Sequence, residues 1–388
     1  MRICRAATVP FFVRHHLAQQ ILATIKAGHE VHIVTSPEQQ GEEAVRLPGA
    51  HYHLIRIERR IAPFADLAAL VALWRYFRRT RFDVVHSTTP KAGLLCALAA
   101  ALAGVPLRLH TFTGQQWKEM RGPVRWISML SDWAVVRLNT RCYADSASQK
   151  LFLVEQGIGS AGDIAVLGPG SLAGVDLMQY DIRLRSQRTT LRRELNISPD
   201  AKVIAFVGRV TRDKGIGELV AAFETLQRGG TGDLVLLVIG PVEDSPNLMP
   251  AHLLRAAESN PAIRFIGYSP QPEKYLALSD LFCLPSYREG FGNAVIEAAA
   301  LGLPAVATHV PGLTDSVIDG QTGMLVAPKD AAGLAAALGR LLSDDGLRER
   351  MGAAARLRAV EVFDAAKINA LLLNEYAALS ANTRQLNG

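Results

Sequence analysis

The chain has 388 residues, more than one core usually organises, and at roughly 100–200 residues per domain it predicts two domains. Apolar residues make up 49% and charged residues 20%, which excludes a disordered, collagen-like or coiled-coil chain. The net charge of +6 is unevenly held: residues 1–150 carry 20 Lys and Arg against 10 Asp and Glu, and the remainder carries 22 against 26.

The basic N-terminal half suits an anionic partner, whether a phosphate-bearing substrate, a lipid surface or nucleic acid. Aromatic residues are only 6%, and there is no RNP-like or helix-turn-helix signature, so no nucleic acid is expected. Cys4, Cys96, Cys142 and Cys283 lie far apart with no C-x-x-C pair, so neither a disulfide framework nor a zinc knuckle is indicated and the cytosol is the natural compartment. The charge-poor run 92–107 is broken at Gly104-Val105-Pro106, short of the roughly 20 residues a spanning helix needs. Residues 1–13 lack a signal-peptide pattern.

In chain order, apolar runs at 1–9, 31–35, 52–57, 84–87, 107–111 and 142–144 read as strands, with helices at 14–27, 65–79 and 92–103. The periodicity stops around Gly168-Pro169-Gly170-Ser171 and a second series begins. It has strands at 202–207, 234–239, 263–266, 281–284, 305–307 and 324–326, and helices at 217–227, 293–301 and 331–342. Alternating strands and helices predict an α/β chain of parallel sheets: two Rossmann-like domains, 1–170 and 171–365, with the ligand between the carboxyl ends of their sheets. A last amphipathic helix, within 366–388, could cross back to the N-terminal domain.

Two stretches carry chemistry. In Pro285-Ser286-Tyr287-Arg288-Glu289-Gly290-Phe291-Gly292-Asn293, a buried strand enters a glycine loop and a helix follows. Backbone N–H groups and a positive helix end there suit a phosphate. Glu289 in the loop and Glu297 in the helix could meet the reacting part and the hydroxyls of a bound molecule; a well-capped helix with two solvated glutamates fits the same residues. In Gly208-Arg209-Val210-Thr211-Arg212-Asp213-Lys214-Gly215, two cations converge on a strand end, which suits an anion or a capped strand with surface charges. Together they describe a diphosphate clamp.

These residues resemble a known family, the retaining GT-B glycosyltransferases of family 4. Glu289 and Glu297 within E-G-F-G-N-A-V-I-E-A resemble its E-x7-E motif, and G-R-x4-K-G at 208–215 its diphosphate loop. H-S-T-T-P-K-A-G from His86, H-T-F-T-G-Q-Q-W from His110, A-D-S-A-S-Q from Ala144 and G-V-D-L from Gly174 resemble bacterial members that build surface polysaccharide and lipid-linked oligosaccharides.

The resemblance implies a GT-B fold, with the acceptor on 1–170 and a nucleotide sugar, UDP-linked by expectation, on 171–365 across a cleft. Arg209 and Lys214 would hold the diphosphate with backbone groups of Gly290, Phe291, Gly292 and Asn293. Glu297 would bind the ribose, Glu289 the transferred sugar, and Tyr268 would lie near the base. His110 would sit near the reacting centre, so that Glu289, His110, Arg209 and Lys214 form the catalytic set. His86, Lys91, Thr113 and Gly114 would lie on the acceptor side. One departure is Thr8-Val9-Pro10-Phe11-Phe12, which stands where many members have a Gly-Gly loop.

No D-x-D occurs, so no metal and no cofactor beyond the donor are expected. His15, His16, His29, His32, His51 and His53 lack metal-motif spacing and read as surface or packing residues. Arg56, Arg59 and Arg60, with the helix ending in Arg75, Arg78, Arg79 and Arg81 beside Trp74, Tyr76 and Phe77, suit an anionic membrane surface or a core helix with a solvated basic end. The expected activity is hexose or N-acetylhexosamine transfer to a lipid-linked saccharide at the inner face of the membrane. A UDP-sugar epimerase or hydrolase of the same fold, and a non-catalytic anion-binding protein, are the other readings.

Overall fold

In the computed structural model, which describes residues 1–37, 46–230, 232–242 and 251–387, the strands form two separate parallel sheets. Two compact units carry them: Met1–Ala173 with Ala365–Gly388, and Gly174–Asp364. Of the final helix expected over 366–388, Gly388 lies outside the described residues.

The first unit holds β1 (Arg2–Ala6), β2 (Glu30–Thr35), β3 (Ala50–Leu54), β4 (Val84–Thr88), β5 (Leu107–Phe112), β6 (Arg141–Ala144) and β7 (Ile164–Val166). Its helices are α1 (Pro10–Phe12), α2 (Ala18–Lys26), α3 (Pro63–Thr80), α4 (Pro90–Leu102), α5 (Gly122–Leu138) and α6 (Ala147–Glu155). The strand order is β3-β2-β1-β4-β5-β6-β7, reversing direction of growth between β1 and β4. On one side of this sheet α3 packs on α4, and α4 on α5.

The second unit holds β8 (Lys202–Val207), β9 (Leu234–Ile239), β10 (Ile263–Gly267), β11 (Leu281–Leu284), β12 (Ala305–Thr308) and β13 (Gly323–Val326), ordered β10-β9-β8-β11-β12-β13. Its helices are α7 (Arg188–Glu194), α8 (Ile216–Arg228), α9 (Ala251–Ser259), α10 (Pro272–Leu278), α11 (Asn293–Ala300), α12 (Leu313–Ser316), α13 (Ala331–Ser343) and α14 (Asp345–Val362). The central strands are almost wholly apolar because helices cover both faces; all six residues of β9 are buried. Each fully buried side chain such as Leu236 or Phe206 contributes roughly 1.5–3 kcal/mol of transfer free energy.

The chain then returns. α15 (Ala365–Asn387) packs on α2 in the first unit. Its Tyr376 is buried, and the Tyr376 hydroxyl accepts from the Arg5 guanidinium at 2.6 Å and lies 2.7 Å from His86 Nδ1. No helix among the described residues is long and apolar enough to cross a membrane.

Several element boundaries differ from the sequence reading. The first helix, expected over 14–27, starts at Pro10, because proline is pre-set for the first helical position, and it passes through a π-helical turn at Val13–Leu17. Most of the Thr8–Phe12 stretch is therefore helix rather than loop. The first strand is Arg2–Ala6, not 1–9, and the third is Ala50–Leu54, not 52–57. Helix α5 was absent from that reading, as were α6, α7, α9, α10, α12, α14 and strand β7.

Candidate active site

The strand order of the second unit changes sense between β8 and β11, and at such a switch point the two following loops diverge and leave a crevice. Both motif loops leave the sheet there: 208–215 after β8 and 285–292 after β11. Gly215 has φ +70, and a Cβ on it would stand 2.0 Å from the Pro285 carbonyl oxygen, so only glycine lets the loops approach this closely.

Three contacts then tie one loop to the other. The Tyr287 N–H donates to the Asp213 carbonyl at 2.8 Å, the Arg288 guanidinium to the Asp213 carboxylate at 2.6 Å, and the Lys214 ammonium to Glu289 Oε1. Thr211 donates to the other Asp213 oxygen at 2.7 Å. Burial pushes the Asp213 carboxyl up, but Arg288, the Thr211 hydroxyl and Lys214 outweigh it and hold it below the usual range. Asp213 is thus a fixed anion that orients the cationic loop; nothing in the sequence distinguished it from a surface residue.

Arg209 stands two residues past the end of β8, after Gly208, and is half-buried, and Gly292 precedes Asn293, the first residue of α11. The Phe291 ring is buried edge-on against Phe363 at 5.0 Å, so this residue offers only its backbone to a ligand. Glu297 lies in α11, where burial pushes its carboxyl up to about 7, opposed by a hydrogen bond from Tyr180 and assisted by Glu273. Tyr268, just past β10, is 48% exposed. The structure therefore gathers Arg209, Lys214, Glu289, Glu297 and the 290–293 backbone in one unit.

The first unit has its own switch point between β1 and β4. There the Thr8 N–H donates to Thr89 Oγ1 at 3.0 Å, and Thr89 holds a positive φ of 74. On the neighbouring β5, His110 is buried, with Nδ1 3.0 Å from the Ser87 hydroxyl, and burial lowers its pKa to about 3. Burial thus favours the neutral imidazole over the charged form. Gly93 of α4 leaves room for it: a Cβ there would sit 2.5 Å from His110 Cε1.

His86 is placed differently from an acceptor contact. It is buried, with Nε2 2.8 Å from the Thr111 hydroxyl and Nδ1 shared between Arg5 and Tyr376. Burial first, then Arg5, depresses its pKa. Its ring knits strands and α15 together and has no nitrogen left for a ligand. Lys91 pairs with Asp66 at 2.7 Å and donates to the Arg60 carbonyl, joining α4 to the start of α3. Thr113 and Gly114 follow β5, partly buried and buried respectively. Cross-strand register also brings His32, His51 and Glu30 together, with one ligand atom from each within 4.8 Å of the others, a grouping invisible to linear spacing.

Two α/β units with parallel sheets, the second with two motif loops joined at its switch point, give the chain the GT-B fold. Residues 187–358 match the family model "Glycosyl transferases group 1" and residues 13–170 the "Glycosyl transferase 4-like domain". The chain belongs to this glycosyltransferase family. It is 32% identical to the capsular polysaccharide biosynthesis glycosyltransferase CapM of Staphylococcus aureus, over 87% of each protein. In structure it is similar to the sucrose-phosphate synthase of Thermosynechococcus elongatus, with a TM-score of 0.81, 21% identity and coverage of 98% and 100%. It is also similar to Anabaena Alr3699/HepE solved with UDP and glucose, with a TM-score of 0.79, 17% identity and coverage of 97% and 100%.

Proposed function

We propose that this glycosyltransferase moves a hexose or N-acetylhexosamine from a UDP-sugar to a lipid-linked saccharide, with retention of anomeric configuration, at the cytoplasmic face of a membrane. The observation that carries the donor half is the joining of Lys214 and Glu289 across two loops at one switch point, beside Arg209 and the start of α11. Similarity to CapM over most of both chains favours surface polysaccharide as the product, and the UDP complex of Alr3699/HepE favours a uridine donor.

In the proposed reaction the bond from the anomeric carbon to the β-phosphate oxygen breaks, and negative charge grows on the leaving phosphate. Arg209, Lys214 and the α11 backbone N–H groups stabilise that charge, each such group being worth on the order of 3 kcal/mol of barrier. The acceptor oxygen bonds to the same face of the sugar, and its proton passes to the leaving phosphate. Glu297 accepts from the ribose hydroxyls, Glu289 from the sugar, and neutral His110 hydrogen-bonds near the reacting centre. These protein groups supply the charge stabilisation without a metal.

Thermal shift of the wild type and Arg209→Ala against UDP, GDP, ADP, dTDP and their sugars tests the donor assignment. Stabilisation by UDP compounds alone, lost in the variant, is expected; indifference to every nucleotide would overturn it. Incubating the chosen UDP-sugar without acceptor separates the reaction classes, because release or epimerisation at the transfer rate would mark an epimerase or hydrolase.

A further inference from the structure

Helix α5 turns an apolar face away from its unit. Trp126, Ile127, Leu130 and Trp133 are 65%, 54%, 62% and 43% exposed; Trp126, Leu130, Trp133 and Arg137 recur at steps of four, three and four residues along one side, with Ile127 at its edge. Monomeric soluble proteins rarely leave two tryptophans, a leucine and an isoleucine contiguous in water. The opposite side is firmly held: Val135 and Val136 are buried, and Trp117 Nε1 donates to the buried Asp132 at 2.7 Å. The outward face is thus a fixed feature of a well-anchored helix.

Charge selects what covers it. Arg121 and Arg137 are exposed, and Arg125 is half-buried, its guanidinium 5.7 Å from the Trp126 ring centre, with Arg137 5.6 Å from that of Trp133. The helix's one acidic residue, Asp132, is buried, and burial raises its pKa to about 7. The exposed surface therefore combines apolar and aromatic side chains with cations, without an exposed carboxylate on the helix. A helix so equipped lies in the interface of an anionic bilayer, with apolar side chains below the headgroups and arginines on the phosphates.

We propose that α5 is the membrane-docking element of this protein, and that its ligand is an anionic lipid surface. The proposal rests on the reading that the enzyme works on a lipid-linked acceptor at a membrane, but it assigns the contact to a helix other than the basic-ended α3.

The test is sedimentation of the full chain with vesicles of equal parts phosphatidylglycerol and phosphatidylcholine, compared with phosphatidylcholine alone. Wild type is expected to bind the anionic vesicles with a blue shift in tryptophan emission. Trp126→Ser with Leu130→Ser, and separately Arg121→Gln with Arg137→Gln, are each expected to weaken binding by about tenfold or more. The charge variant alters exposed residues only, and thermal unfolding verifies that both fold. Binding by wild type and both variants alike would overturn the role of α5 and leave a membrane enzyme docking elsewhere. No binding by wild type would overturn the membrane reading itself. Concentration-dependent dimers of wild type that the Trp126/Leu130 variant cannot form would show a second copy as the occupant, and would also overturn the proposal.

Discussion

Lys214 in the loop after β8 donates a hydrogen bond to Glu289 in the loop after β11, joining the residue expected on the donor phosphate to the residue expected on the sugar. Both are largely buried, so the pair is weakly screened by solvent. Removing either partner leaves the other's charge uncompensated. Lys214→Ala is expected to lower kcat by about 10²–10³ and weaken donor binding. Glu289→Gln keeps a hydrogen-bond acceptor for Lys214, so it is expected to lower kcat while leaving donor affinity within a few-fold. Initial rates and calorimetric donor titration check both; kcat within twofold of wild type in either variant would move the reacting centre elsewhere.

Glu297 makes stability depend on pH in a direction opposite to the usual carboxylate. Its folded pKa is raised to about 7, above its unfolded value, by burial. The folded state therefore binds the extra proton, and this contribution is fully present below about pH 4.5 and lost as pH rises to about 7. A loss of roughly 1–3 kcal/mol over that window is expected from this group. Asp132, also raised to about 7 by burial, contributes with the same sign. Glu297→Gln should flatten part of the slope in urea denaturation between pH 5 and pH 8, measured as about those limits; an unchanged slope would mean the carboxyl titrates normally.

Gly93→Ala tests the space that holds His110. Alanine suits a helix, but its Cβ would overlap the imidazole, which must leave the Ser87 hydroxyl. Such overpacking costs about 1–3 kcal/mol. We expect a lower Tm and a kcat reduced at least about tenfold, with nucleotide affinity unaltered. Normal turnover in this variant would remove His110 from the reacting centre.

Tyr376→Phe removes the hydroxyl that Arg5 and His86 both use, and leaves a buried guanidinium short of an acceptor. A loss of about 1–3 kcal/mol is expected by chemical denaturation, with donor binding to the second unit unchanged. Equal stability of wild type and variant would show that a water replaces the hydroxyl without loss.

The two sheets were readable because their central strands are apolar runs followed by glycine, as at 203–207 and 234–239, and the two loops at the switch point were readable because their charged residues and glycines are compressed into short motifs. Helix α5 was not readable. Its inner and outer sides are both apolar, which erases the periodic contrast that marks an amphipathic helix. The Trp117–Asp132 bond, the Arg5–Tyr376 contact and the inward commitment of His86 depend on residues brought together by folding, and no local pattern announces them. For the same reason His86, sitting in a motif expected on the acceptor side, could not be told from an exposed ligand until its neighbours were seen.

The return of α15 to the first unit has a consequence for biosynthesis. On the ribosome β1 to β7 emerge first, but Arg5 and His86 gain the Tyr376 hydroxyl only after the whole of 174–364 has been made. The first unit therefore stays incomplete through the translation of the second, with the α2 side that receives α15 uncovered, and nascent chains stalled between those points should be the ones that chaperones retain.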